Sequence, residues 1–357
     1  MIGGRLCANR THKAFFVWKY TSFAWSVETG VASLDNLKKK LVKQEVRKKM
    51  PGRLKSMKEV EGYTLSEKKK YYTSLKNICD HMKNASMSCN GVISFIAPAL
   101  RKFEIEMRGS ENIPVSNVLF VANHSNSHDY FVTKEVFSKI KRKITPLGAR
   151  DGLNPLAYLA FKMGDVTFID RNDKKSTEKG ILNFCSKILS GKDGIIFGEG
   201  TWNLHPIRPM LKVKTGAVQI SLITERPIVP VIYEYVEVLV KCNKEWELYT
   251  KCIVQFGKPI YTIIGENIYE QTEKVMQTMT AMRKSLWKEL GINRSSISEI
   301  NKEVYLNHLY LKKFKAIGFK YNSQWESQFL VDKENEYFMN EKGEFVPGIL
   351  KEQCMEK

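Results

Sequence analysis

The sequence predicts an α/β protein: a mostly buried mixed sheet flanked by helices, preceded by a helical, basic N-terminal region. Three observations carry this expectation. From residue 118 onward, short apolar runs of strand length alternate with segments whose apolar residues recur at three- and four-residue spacing. The chain of 357 residues, 43% of them hydrophobic, is long and apolar enough to bury a full core under such a sheet. Ahead of that pattern the texture is different, with lysine blocks and few apolar residues.

In chain order, residues 13–27 (KAFFVWKYTSFAWSV) are aromatic and follow several basic residues, a faint likeness to a signal peptide. Lys19 interrupts the apolar part and no small-residue cleavage site follows. The stretch reads as an interfacial segment, for which Trp and Tyr rings are suited, or as sequence upstream of the true start. Residues 35–70 are dense in lysine, with blocks Lys38-Lys39-Lys40, Arg47-Lys48-Lys49 and Lys68-Lys69-Lys70. Such a run builds no core of its own, and it stands open as a solvated helical face, a flexible arm or a surface for anionic lipid. The apolar patch at 92–100 (VISFIAPAL) follows soon after and could dip into the same interface.

Strands are expected at 118–122, 144–147, 165–169, 194–197, 228–235 and 252–256. Helices are expected at 131–140, 155–163, 177–189, 211–223 and 268–290. The tail at 295–357 is polar, aromatic and charged, without a usable motif. The resulting division is a membrane-associating region at 1–90, a central domain at 91–290 and a C-terminal appendage at 291–357.

Composition bounds the function. Lysine and arginine number 57 against 38 acidic residues, a formal net charge of +19, which draws the chain toward polyanions without choosing between nucleic acid and anionic lipid. Seven cysteines are scattered without a CxxC pair, so neither a disulfide framework nor a thiolate zinc site is indicated, and a reducing cytoplasm fits. No apolar run reaches the roughly 18 residues of a transmembrane helix.

The sharpest local signal is Asn123-His124-Ser125-Asn126-Ser127-His128-Asp129, just after an apolar run and just before a helical pattern. Four residues separate His124 from Asp129, so a turn entering a helix can fold the carboxylate back onto the imidazole. That pairing fixes the tautomer and leaves the second ring nitrogen to remove a proton. Two other readings remain open: a hydrogen-bonded histidine with Asp129 as a helix cap, and a metal site of His124, His128 and Asp129. Downstream, two strands end in polar groups, at Gly164 to Asp170-Arg171 and at Gly198-Glu199-Gly200-Thr201, and Pro227 and Pro230 bracket a third.

Taken together, these four blocks resemble the glycerophospholipid acyltransferase family, including 1-acylglycerol-3-phosphate acyltransferases, over roughly residues 92–260. The family's His-x4-Asp block corresponds to His124 and Asp129, and its FIDR block to Gly164 and Phe168-Ile169-Asp170-Arg171. Its glutamate-glycine-threonine block corresponds to Glu199, Gly200 and Thr201, and its proline strand to Val229-Pro230-Val231. The helix carrying Lys214, Gly216 and Ala217 also fits.

The resemblance implies transfer of a fatty acyl group from acyl-CoA or an acylated carrier protein to a lysophospholipid hydroxyl, with lysophosphatidate the favoured acceptor. His124 would be the general base and Asp129 its orienting group. Arg171 would clamp an acceptor phosphate unless it serves only in a surface ion pair with Asp170 or Asp173. Glu199, Gly200 and Thr201 would position the acceptor, and Pro230 would shape the donor channel. No metal or redox cofactor is expected, because a thioester is already activated. The implied setting is an anionic membrane surface, with the enzyme peripheral or monotopic on the cytoplasmic face, and no nucleic acid is expected.

Two departures bear on the acceptor: Asn126 stands where a serine is common, and Trp202 where arginine is usual. Arg208, Lys212 or Lys214 would then supply the missing cation. A hydrolase would use the same pair on water, but the chain has no GxSxG elbow. A basic nucleic-acid-binding protein and a catalytically silent lipid-binding relative are the other readings.

Overall fold

The structure, a computed structural model, describes residues 54–82, 103–126, 128–150, 153, 155–203, 208–242, 245–292, 337–339 and 345–347. The expected interfacial stretch at 13–27, the first two lysine blocks and the patch at 92–100 lie outside the described residues. The chain divides into two units, Met1–Arg53 with Val238–Tyr249, and Leu54–Glu237 with Thr250–Lys357. Everything that follows concerns the second.

The central element is a seven-stranded sheet. Its strands are β1 (Phe103–Arg108), β2 (Leu119–Ala122), β3 (Ile144–Ala149), β4 (Thr167–Ile169), β5 (Asp193–Phe197), β6 (Ile228–Cys242) and β7 (Glu245–Phe256). They lie side by side in the order β1-β7-β6-β2-β5-β3-β4. The ladders β1·β7, β2·β6, β2·β5, β3·β5 and β3·β4 are parallel. Just beyond β7, Ile260 and Ile228 exchange both backbone hydrogen bonds in an antiparallel bridge. The sheet is therefore mixed, as the alternating sequence pattern predicts. A separate antiparallel pair, β8 (Tyr337–Met339) with β9 (Phe345–Pro347), lies in the expected C-terminal appendage.

Helices cover both faces, which explains why every residue of β2 is buried. On one face lie α1 (Met57–Glu61), α2 (Leu65–Asp80), α5 (Lys174–Leu189), α6 (Gly216–Thr224) and α7 (Ile268–Glu289). They bury Leu75, Leu182, Val218, Val275 and Met279 against Leu119 and Val121. On the other, α3 (Asp129–Lys139) presses Val132, Val136 and Phe137 onto Phe120, Val229, Val231 and Phe256. The rings of Phe120 and Phe137 meet edge to face at 4.7 Å. The remaining helix, α4 (Pro155–Met163), places a proline at its first turn, where no backbone N–H is needed.

The structure corrects three readings. Residues 65–80, taken as the end of a lysine-rich arm, form helix α2, closed by a capping box between Thr64 and Glu67. Tyr72, Leu75 and Cys79 of α2 are buried, and Lys68 itself is only 7% exposed, paired with Glu61 at 2.9 Å. The helix expected at 211–223 starts only at Gly216, because Leu211 and Lys214 spend their amides on Glu199 and Gly198 instead. The edge strand β1 was missed, since FEIEMR reads as charged alternation rather than as an apolar run.

Candidate active site

The catalytic segment leaves the sheet at its centre. Ala122, the last residue of β2, is in register with Phe197 of β5 on one side and Val231 of β6 on the other. Three parallel strands thus end together, the place where α/β sheets present functional groups. Asn123 fastens the exit. Its side-chain carbonyl accepts from the Tyr233 amide at 2.7 Å, and its Nδ2 donates to Tyr233 O at 3.0 Å and Ser125 Oγ at 2.7 Å.

His124 and Asp129 come together as their spacing suggested. Nδ1 of His124 lies 2.6 Å from Oδ2 of Asp129, and the same oxygen accepts the amides of Ser125 at 2.9 Å and Asn126 at 3.0 Å. Oδ1 accepts the phenol of Tyr235 at 2.5 Å. Asp129 is fully buried, so these donors replace its lost hydration. With Nδ1–H given to the carboxylate, Nε2 carries the lone pair and makes no hydrogen bond among the described residues. The His124 side chain remains 19% exposed, so Nε2 is left to meet a substrate proton.

The imidazole is also held by rings. Phe197 stacks on it with centroids 4.1 Å apart and planes at 17°, and Trp202 lies 4.8 Å away, tilted by 38°. Where the resemblance led one to expect a guanidinium, this chain places an indole beside the base.

Glu199 is 1% exposed and occupies a different position from that expected of an acceptor ligand. One carboxylate oxygen takes the amide of His124 at 2.7 Å and the other the amide of Leu211 at 2.7 Å. It braces the base from beneath. Burial pushes its carboxyl up to about 7, against the opposing pull of the two amides and of Arg283, while the Asp129 charge adds to the rise.

This shift fixes the sign of a pH effect. The folded chain holds the Glu199 proton that an unfolded carboxyl, near 4.5, has released. Its contribution to stability is fully present below 4.5 and is lost as pH rises through about 7. The loss is on the order of 3 kcal/mol. In Glu199→Gln this slope should vanish, so urea unfolding of the two proteins across that window is expected to show the wild type losing ground with rising pH.

Gly200 takes φ +70°, a left-handed conformation suited to glycine, and so turns the chain sharply after Glu199. Arg171, exposed after β4, donates through Nη1 to Gly200 O at 2.8 Å and draws the second and third sequence blocks together. Of the candidate replacement cations, Lys214 runs past the same glycine, its Cγ 3.6 Å from where a Cβ would stand. Thr201 follows, half-buried. Gly164 accepts the Tyr130 phenol at 3.3 Å, tying its block to α3. Pro230 sits inside β6, opposite Val121 and accepting the Gly257 amide at 2.8 Å, within the sheet and not at its rim.

His128 bonds to Asn126 Oδ1 through its own Nδ1 at 3.1 Å and caps α3 in sequence. Among the described residues, no group of three or more His, Cys, Asp or Glu is placed to hold a metal ion. Tyr235 and Phe197 were missed as site residues, because aromatic residues at the ends of apolar strands read as core.

Comparison with known proteins agrees with this geometry. Residues 104–234 match the family model described as Acyltransferase. The chain is 24% identical over 205 residues to 1-acyl-sn-glycerol-3-phosphate acyltransferase of Saccharomyces cerevisiae, covering 54% of this chain and 64% of that protein. It is 26% identical over 200 residues to the "Probable 1-acyl-sn-glycerol-3-phosphate acyltransferase" of Mycoplasma pneumoniae, covering 51% and 67%. The crystal structure of the 1-acyl-sn-glycerophosphate acyltransferase PlsC from Thermotoga maritima aligns with a TM-score of 0.38 at 18% identity, over 65% of this chain and 83% of that one. The segment at 104–234, which holds His124, Asp129, Arg171 and Glu199, is an acyltransferase-family domain.

Proposed function

We propose that the protein is an O-acyltransferase that moves a fatty acyl group from a thioester donor, acyl-CoA or an acylated carrier protein, to the hydroxyl of a lysophospholipid. The favoured acceptor is 1-acyl-glycerol-3-phosphate, and the product phosphatidate, a step of phospholipid biosynthesis. The observation that carries this reading is the His124–Asp129 pair at 2.6 Å, with its second ring nitrogen left open. His124 Nε2 takes the proton of the acceptor hydroxyl as the oxygen attacks the thioester carbonyl. The tetrahedral intermediate then expels the thiolate, which recovers the proton from the imidazolium. Attack by the acceptor itself makes an acyl-enzyme unnecessary. The names of the curated relatives favour lysophosphatidate.

The acceptor phosphate is assigned to Arg171 and Lys214, which converge on the Gly200 turn. A guanidinium fork matches a phosphate in shape as well as charge. The reading places the enzyme as a peripheral or monotopic protein on the cytoplasmic membrane face, supported by the net charge of +19. No helix among the described residues is long and apolar enough to cross a membrane.

The test is acyl transfer from labelled acyl-CoA and acyl-carrier protein to a panel of lysophospholipids, with free fatty acid measured in the presence and absence of acceptor. Ester product that depends on acceptor supports transfer. Acceptor-independent fatty acid would favour hydrolysis, and no turnover on any acceptor by folded, vesicle-bound protein would sink the reading. Arg171→Ala is expected to raise KM for lysophosphatidate by about tenfold or more with a smaller change in kcat. An unchanged KM would move the phosphate elsewhere.

A further inference from the structure

Tyr235 lies one residue beyond the segment that matches the acyltransferase family, and none of the four sequence blocks contains it. Its phenol nevertheless donates to Oδ1 of Asp129 at 2.5 Å. Among the described residues it is the donor to that oxygen, while His124 and the two amides share Oδ2. The carboxylate is thereby held at both ends. Rotation about its terminal torsion, which is soft in an unrestrained aspartate, would break either the phenol bond or the imidazole bond.

We propose that Tyr235 is a positioning residue that acts through Asp129, fixing the carboxylate plane on the His124 imidazole and keeping the proton on Nδ1 of His124. A hydrogen bond to the far oxygen withdraws charge from the carboxylate, so Asp129 orients and stabilises the imidazolium without becoming its proton acceptor. Burial and the Asp129 charge push the Tyr235 phenol well above its ordinary value, so it stays a donor over the working range. The titratable groups facing Tyr235 are Asp129, Cys252 and Tyr233, and Glu199 adds its field to Asp129 from β5.

Tyr233, two residues earlier on β6, provides an internal comparison. Its hydroxyl lies 2.9 Å from Thr133 Oγ1, not against the carboxylate. Loss of that hydroxyl removes a buried hydrogen bond while leaving all the donors to Asp129 in place.

The kinetic part of the proposal rests on the acyl-transfer reading; the proton placement does not. The experiment therefore has two readouts on full-length Tyr235→Phe and Tyr233→Phe. The first follows the His124 ring protons by NMR across pH, with His124→Ala used to assign them. Without the phenol the carboxylate is a stronger partner for the imidazolium, so the His124 midpoint should move to higher pH in Tyr235→Phe only. The second is kinetic: Tyr235→Phe should lower kcat by about ten- to a hundredfold. Both KM values should stay within about twofold, and the acidic limb of the rate profile should move to higher pH.

A folded Tyr235→Phe protein with the wild-type His124 midpoint would overturn the proposal, whatever the activity. An equal midpoint shift in Tyr233→Phe would overturn it too, since loosened packing would then be the cause. If the wild type transfers no acyl group yet the midpoint still shifts in Tyr235→Phe alone, the positioning role stands and the acyl-transfer reading fails. Tyr235→Gln, which keeps a donor on a shorter side chain, serves where phenylalanine does not yield folded protein. Its midpoint is expected between those of the wild type and Asp129→Asn, and a midpoint matching Asp129→Asn would count against the proposal.

Discussion

Replacing His124 with alanine is expected to lower kcat for acyl transfer by about a thousandfold or more, within the range that general-base catalysis contributes. The fold should survive. The side chain is 19% exposed and lies at the end of β2 outside the two hydrophobic clusters, so its removal opens no large void. Asp129 loses one of four donors but retains the Ser125 and Asn126 amides and the Tyr235 phenol, which limits the cost of its burial. Both KM values should change by only a few fold, because Nε2 contributes most when the proton moves. Steady-state transfer to lysophosphatidate, with thermal unfolding measured in parallel, checks both parts. Activity within tenfold of wild type in a folded variant would remove His124 as the base.

The same geometry explains why so much of the site was legible in the sequence. His124 and Asp129 meet through one local turn between β2 and α3, so their spacing contained most of the information. Gly200 likewise announced itself, because a glycine after an apolar strand marks a turn and this one takes φ +70°. What could not be read depends on strands far apart in sequence. Tyr235 reaches Asp129 across 106 positions, and Leu211 joins His124 through the Glu199 carboxylate. Glu199 looked like a substrate ligand because strand ends usually expose their polar groups. Only the fold shows that the loop after Trp202 returns over it and buries it to 1% exposure.

The helix pattern failed for a related reason. Residues 211–215 have apolar spacing compatible with α6, but their amides are claimed by Glu199 and Gly198, partners that periodicity cannot reveal. Lys68 in α2 makes the complementary point. Within a lysine block it reads as solvated, yet Glu61 neutralises it and α2 packs against α5 and α6.

Arg283→Met should have the largest effect on stability, and it lies on α7, outside the family-matched segment. Its Nε pairs with Glu234 at 2.7 Å, its Nη1 donates to Pro209 O at 2.6 Å, and its guanidinium lies 5.1 Å from the Trp287 ring. The two charged side chains are 7% and 2% exposed, so little solvent screens them. Methionine keeps much of the volume but leaves Glu234 buried without its cation, a loss of about 3–5 kcal/mol. For a chain of this size that is a fall in Tm of roughly 10 °C.

Two further consequences separate this effect from a packing defect. The double variant Arg283→Met/Glu234→Gln should recover part of the loss, because the uncompensated charge is gone. Arg283 also lowers the Glu199 carboxyl, so its removal should move the pH window of Glu199-linked stability further upward. Urea unfolding of the single and double variants across pH measures both. If the double variant is no more stable than Arg283→Met, lost packing around Trp287 outweighs the buried charge, and α7 is held by volume and not by the ion pair.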